Sequence, residues 1–114
     1  MTAIRIIAGI ITIGHGLIHL MGFVKALKLA EIKELKLEVS QSAGLLWLAT
    51  ASLFVATAVM FLGRIDWWWL LAIPAILLSQ VMVVNAWKDA KFGTIANLIV
   101  VAMIVLDKLQ VLDW

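Results

Sequence analysis

With 114 residues the chain has room for one domain, and 65% of its residues are hydrophobic against 14% charged, where soluble domains carry roughly 45–50% and about 25%. So few charges cannot cover so much apolar surface in water, and the composition points to lipid as the solvent. The absence of cysteine excludes disulfides, thiolate metal sites and thiol nucleophiles, and a net charge of +2 is too small to imply a nucleic-acid partner.

Four apolar stretches follow one another, at residues 4–24, 43–62, 67–87 and 92–109. Each is about 20 residues, which at ~1.5 Å per residue matches a hydrocarbon core of ~30 Å. Unbroken apolar runs of this length predict helices rather than barrel strands. The fold class predicted is therefore all-α, an integral membrane four-helix bundle in a single domain.

The first stretch reads as a retained helix. Its one early basic residue is Arg5, and no small-residue cleavage site with a polar flank follows it. It holds both histidines, His15 and His19, whose four-residue spacing puts them on one helix face. Ala8, Thr12 and Gly16 form a small-residue stripe that admits a neighbouring helix, within the chain in preference to a homodimer. The connection at residues 25–40 mixes Lys25, Lys28, Lys33 and Lys36 with Glu31, Glu34 and Glu38. It suits an interfacial segment lying on the headgroups, as helix or as strand.

The second stretch has Gln41 and Ser42 at its rim and Thr50 near its middle. A tight turn at 63–66 makes stretches two and three an antiparallel hairpin, and residues 88–91 join three and four almost as tightly. Stretch three contains Pro74, then Ser79, Gln80 and Asn85; stretch four contains Asn97. Trp67, Trp68, Trp69 and Trp114 mark one membrane interface and Trp87 the other, with Trp47 about one turn inside. The first and third connections carry six basic residues and the opposite side three. The positive-inside rule puts the 25–40 loop in the cytoplasm and both termini outside.

Antiparallel neighbours bring His15, His19, Thr50, Gln80 and Asn97 into one half of the bilayer. Ionisable groups inside a membrane are costly and point to function by default. Two readings stay open: a hydrogen-bonded packing core, or a cytoplasm-facing cavity lined by these five residues, with Pro74 kinking helix three just before Gln80. No Asp, Glu or Cys lies at the depth of the histidines, so no self-sufficient metal site is expected. Haem could take one histidine as axial ligand, and a quinone could hydrogen-bond to imidazole within an apolar pocket. The cofactor thus stays unassigned, with quinone or haem as the options. A third, weaker reading is a small proton-coupled transporter of the size of the small multidrug exporters, although this chain lacks the carboxylate that such exporters carry in helix one.

The segments Gly14-His15-Gly16-Leu17-Ile18-His19-Leu20-Met21-Gly22-Phe23, Ala43-Gly44-Leu45-Leu46-Trp47-Leu48-Ala49 and Asp89-Ala90-Lys91-Phe92-Gly93-Thr94-Ile95-Ala96-Asn97 resemble bacterial four-helix membrane proteins, broadly the DoxX-like families. The resemblance spans nearly the whole chain and implies a bundle in a bacterial inner membrane. Relatives in those families work in quinone-linked redox complexes, but no catalytic residue of theirs matches a position here. The catalytic residues are thus unknown, and a binding or accessory module is expected rather than an enzyme. Its partners would be the bilayer, a lipophilic small molecule, and a second copy or another membrane protein.

Overall fold

A computed structural model describes residues 2–31 and 39–111. They form five helices in chain order: α1 (Thr2–Ala26), α2 (Gln41–Leu62), α3 (Trp69–Asn85), α4 (Trp87–Ala90) and α5 (Gly93–Lys108). No strand occurs among the described residues. Most of the interfacial loop, residues 32–38, lies outside the described residues, as does Trp114, so neither expectation is addressed there.

Local chemistry sets the ends of these helices. Ser40, in an extended conformation, caps α2 by accepting a hydrogen bond on its hydroxyl from the Ala43 amide at 3.1 Å, which satisfies one orphan donor of the first turn. Helices α1, α2 and α5 stop in the same way. Lys28, Arg64 and Gln110 take positive φ angles of 56°, 61° and 59°, and the next amide reaches back five residues: Leu29 to Val24, Ile65 to Met60, and Val111 to Leu106, each at 2.9–3.0 Å. This left-handed reversal closes the last carbonyls of a helix. All three reversing residues are exposed, so their long polar side chains point away from the packed interior.

Helix α1 packs on α2, α2 on α3, α3 on α5, and α5 back on α1, a closed ring of four helices. The closest approach is between α1 and α2. A Cβ on Gly16 would stand 3.1 Å from the Ala51 carbonyl oxygen and 3.0 Å from the Phe54 Cβ, so only glycine lets the two backbones come this near. Ala8 and Thr12, the other members of the small-residue stripe, are buried, and the Thr12 hydroxyl lies 3.5 Å from Met103 Sδ on α5. The stripe is occupied inside the chain.

Three expectations are corrected. Stretch three is shorter than predicted: α3 spans Trp69–Asn85, because Trp67 and Trp68 belong to the preceding turn. The connection at 88–91 is not a plain turn, since the one-turn helix α4 fills it. Pro74 sits in the second turn of α3 without ending the helix; its missing N–H removes one intrahelical hydrogen bond there. Trp68 is not an interface marker. It is 2% exposed and packs edge-on to Phe61 with ring centroids 4.8 Å apart.

The ring of helices is apolar outside and encloses polar side chains together with an apolar core. Arg5, Thr12, His15, His19, Thr50, Thr57, Ser79 and Asn97 are buried, while Ile10, Ile18, Leu77, Val81 and Leu98 are each at least 60% exposed. The apolar core (Phe54, Phe61, Trp68, Ala72, Ala75, Val100 and Met103 among others) fills the half nearer the chain ends. The histidines occupy the other half. Two helices, α1 from Ala3 and α2, are long and apolar enough to cross a membrane.

Candidate functional site

The site grows from helix periodicity on α1. His19 lies one turn beyond His15, and its Nδ1 is 2.8 Å from the His15 carbonyl oxygen. A carbonyl only accepts, so Nδ1 carries the proton. The remaining nitrogen, Nε2, is 2.8 Å from Ser79 Oγ on α3, and in the neutral ring it accepts from the Ser79 hydroxyl. His19 is thereby satisfied at both nitrogens.

His15 is wired the other way. Its Nε2 is 2.8 Å from Asn97 Oδ1 on α5. The Asn97 amide nitrogen donates to Gln80 Oε1 at 3.0 Å, and the Gln80 amide nitrogen donates to Thr94 Oγ1 at 3.1 Å. The Asn97 oxygen facing it can only accept, so His15 donates from Nε2 and leaves Nδ1 bare. The two imidazoles meet edge to face, with centroids 4.5 Å apart. Phe54 lies beside both, 4.7 Å from His15 and 5.4 Å from His19, and Trp47 lies 5.1 Å from His19.

A cavity of about 310 Å³ opens at this end of the molecule. Its wall includes His15, His19, Trp47, Asp89, Phe92 and Gly93. That volume falls at the lower end of ligand pockets, roughly 300–1,000 Å³. Glycine at 93 keeps the wall open beside the imidazole: a Cβ there would lie 3.7 Å from His15 Cε1 and 2.9 Å from a Val83 methyl.

Of the five residues expected to line a cavity, His15 and His19 do so. Gln80 and Asn97 sit behind the wall as the hydrogen-bonding frame of His15. Thr50 joins neither group. Its hydroxyl donates to its own helix at Leu46 O, 2.8 Å, with Met82 Sδ 3.4 Å away. Depth placed Thr50 correctly, but its azimuth turns it towards Met82. Ser79 and Thr94 complete the network and were not singled out as site residues. Thr94 precedes Asn97 by three residues, so the two share a helix face; that spacing was a usable signal.

A second polar cluster closes the opposite end. Arg5 of α1 pairs with Asp107 of α5, the Trp68 indole donates to the other Asp107 oxygen at 2.9 Å, and the Arg5 guanidinium stacks 4.8 Å from the Phe61 ring centre. Its signal in the sequence was an opposite charge, Arg5 and Asp107, at matching depths of antiparallel stretches.

No protein-family model, curated protein or solved structure matches the chain. The chemistry must come from the site alone. Both nitrogens of His19 and Nε2 of His15 are engaged. A haem ligated through any of them would compete with the hydrogen bonds, and only His15 Nδ1 is uncommitted among the described residues.

Proposed function

We propose that the chain is a four-helix integral membrane protein that binds a small lipophilic molecule in the cavity beside His15 and His19, as a binding or accessory module without catalysis of its own. The inverted surface supports the membrane setting: large aliphatic side chains face outward around the ring of helices while threonine, serine, asparagine and histidine are inside, the arrangement lipid favours. The long dimension of the molecule, 42 Å, compares with about 40–45 Å for a bilayer with its headgroup regions. On the residues quoted above, the reading extends to a DoxX-like protein of a bacterial inner membrane with the 25–40 loop in the cytoplasm.

The observation that carries the binding role is the cavity itself, apolar on most of its wall and ending on a rigidly held imidazole. Pockets that pair apolar walls with a few fixed polar groups are the usual form of small-molecule sites. The test is the content of the purified protein. Mass spectrometry of the extracted lipophiles should find a molecule retained by the wild type and lost from Ala96→Phe, whose ring would occupy the cavity from its wall. Equal content in the two proteins would overturn the proposal.

A further inference from the structure

The hydrogen-bond wiring fixes the polarity of the cavity as well as its position. His15 is 5% exposed. Its Nε2 donates to Asn97, and its Nδ1 has no hydrogen-bond partner among the described residues, yet is not sealed from solvent. His15 is one of the residues that line the cavity. A nearly buried lone pair with no protein partner calls for a donor from outside. Both nitrogens of His19 are already engaged.

We propose that the cavity selects ligands carrying a hydrogen-bond donor on an apolar body, a phenol or aliphatic alcohol, and seats the ligand O–H on His15 Nδ1. The inference rests on the cavity reading above and specifies its ligand class. A ligand offering only carbonyl or ether oxygens meets a lone pair with a lone pair at this nitrogen. That disfavours the oxidised form of a quinone at His15. The Asn97 oxygen against His15 Nε2 is what holds the polarity. Without an acceptor at Asn97, His15 could carry its proton on either nitrogen. Asn97 is thus a positioning residue for specificity that need not touch the ligand. Size agrees with one ring and a short chain, since 310 Å³ is about ten times the ~30 Å³ share of a liquid water molecule.

A matched pair of probes tests this: 4-propylphenol and its methyl ether, 4-propylanisole. The wild-type protein, labelled with ¹⁵N in its histidine rings, is placed in lipid nanodiscs, and each probe is titrated and compared at equal bilayer concentration. The phenol should saturate the site at about tenfold lower concentration than the ether, the scale set by one buried acceptor gaining a partner. It should shift the His15 Nδ1 resonance and leave the His19 signals in place. In Asn97→Leu, the discrimination should fall towards unity. Equal affinity for the two probes, or phenol binding that leaves His15 Nδ1 unmoved, would overturn the donor requirement while leaving the cavity reading intact. Failure of both probes to bind would overturn both.

Discussion

Asn97→Leu is the most informative single perturbation, because Asn97 is the only link in the network that touches both a histidine and a glutamine. The substitution keeps the branched four-atom side-chain skeleton and opens no void, so its cost comes mainly from the lost hydrogen bonds. Two bonds disappear, His15 Nε2–H to Asn97 at 2.8 Å and Asn97 to Gln80 Oε1 at 3.0 Å. At an average of about 0.6 kcal/mol for an interhelical hydrogen bond in a membrane, the loss is about 1.2 kcal/mol. If the orphaned groups stay buried, the cost rises to about 2–3 kcal/mol. Replacing His15 by Phe in the same background removes one orphan, so a double-mutant cycle should show a His15–Asn97 coupling of about 0.6–1.7 kcal/mol. Reversible unfolding in mixed micelles, followed by tryptophan fluorescence, gives all four stabilities. Additive single-mutant effects would refute the claim that these two side chains are joined.

Other perturbations have equally definite outcomes. Asp107→Ala should destabilise the protein by about 3 kcal/mol, because it removes the ion-pair partner of a guanidinium that is 7% exposed and the acceptor of the Trp68 indole; probe binding at the opposite end should not change. Gly16→Val should cost about 1–3 kcal/mol by pushing α1 off Ala51 and Phe54, and a stability equal to wild type would mean that α1 and α2 are not in close contact. Ser79→Ala, which takes the donor from His19 Nε2, should cost about 0.5–1.5 kcal/mol, and its ¹⁵N spectrum should show the change at His19 rather than His15.

Much of this arrangement was legible in the residues, and the parts that were not share a physical cause. Apolar runs of membrane length located α1, α2, α3 and α5 to within a few residues, since helix formation in an apolar stretch is dictated by backbone satisfaction. Depth arithmetic brought His15, His19, Gln80 and Asn97 to one level because antiparallel helices index each other by rise per residue alone. Azimuth was not legible. Whether Thr50 turns to His19 or to Met82, and whether Ser79 or Gln80 meets a histidine, depends on how each helix is rotated against its neighbours. That rotation is set by contacts such as Gly16 on Ala51, which no single stretch encodes. Trp68 misled for a related reason: an aromatic residue at a membrane boundary suits the headgroup belt, but the half-buried carboxylate of Asp107 gave its indole N–H a better partner. The one-turn helix α4 was missed because Trp87, Lys88, Asp89 and Ala90 are too few to show a helical period.

The account depends most on the opposite wiring of the two histidines, and the ¹⁵N spectrum of histidine-labelled wild-type protein in a bilayer reads it directly. His15 should be the Nε2–H tautomer and His19 the Nδ1–H tautomer, each with one protonated and one bare ring nitrogen. Two histidines in the same tautomer, or a doubly protonated ring at neutral pH, would contradict the network and the cavity polarity derived from it.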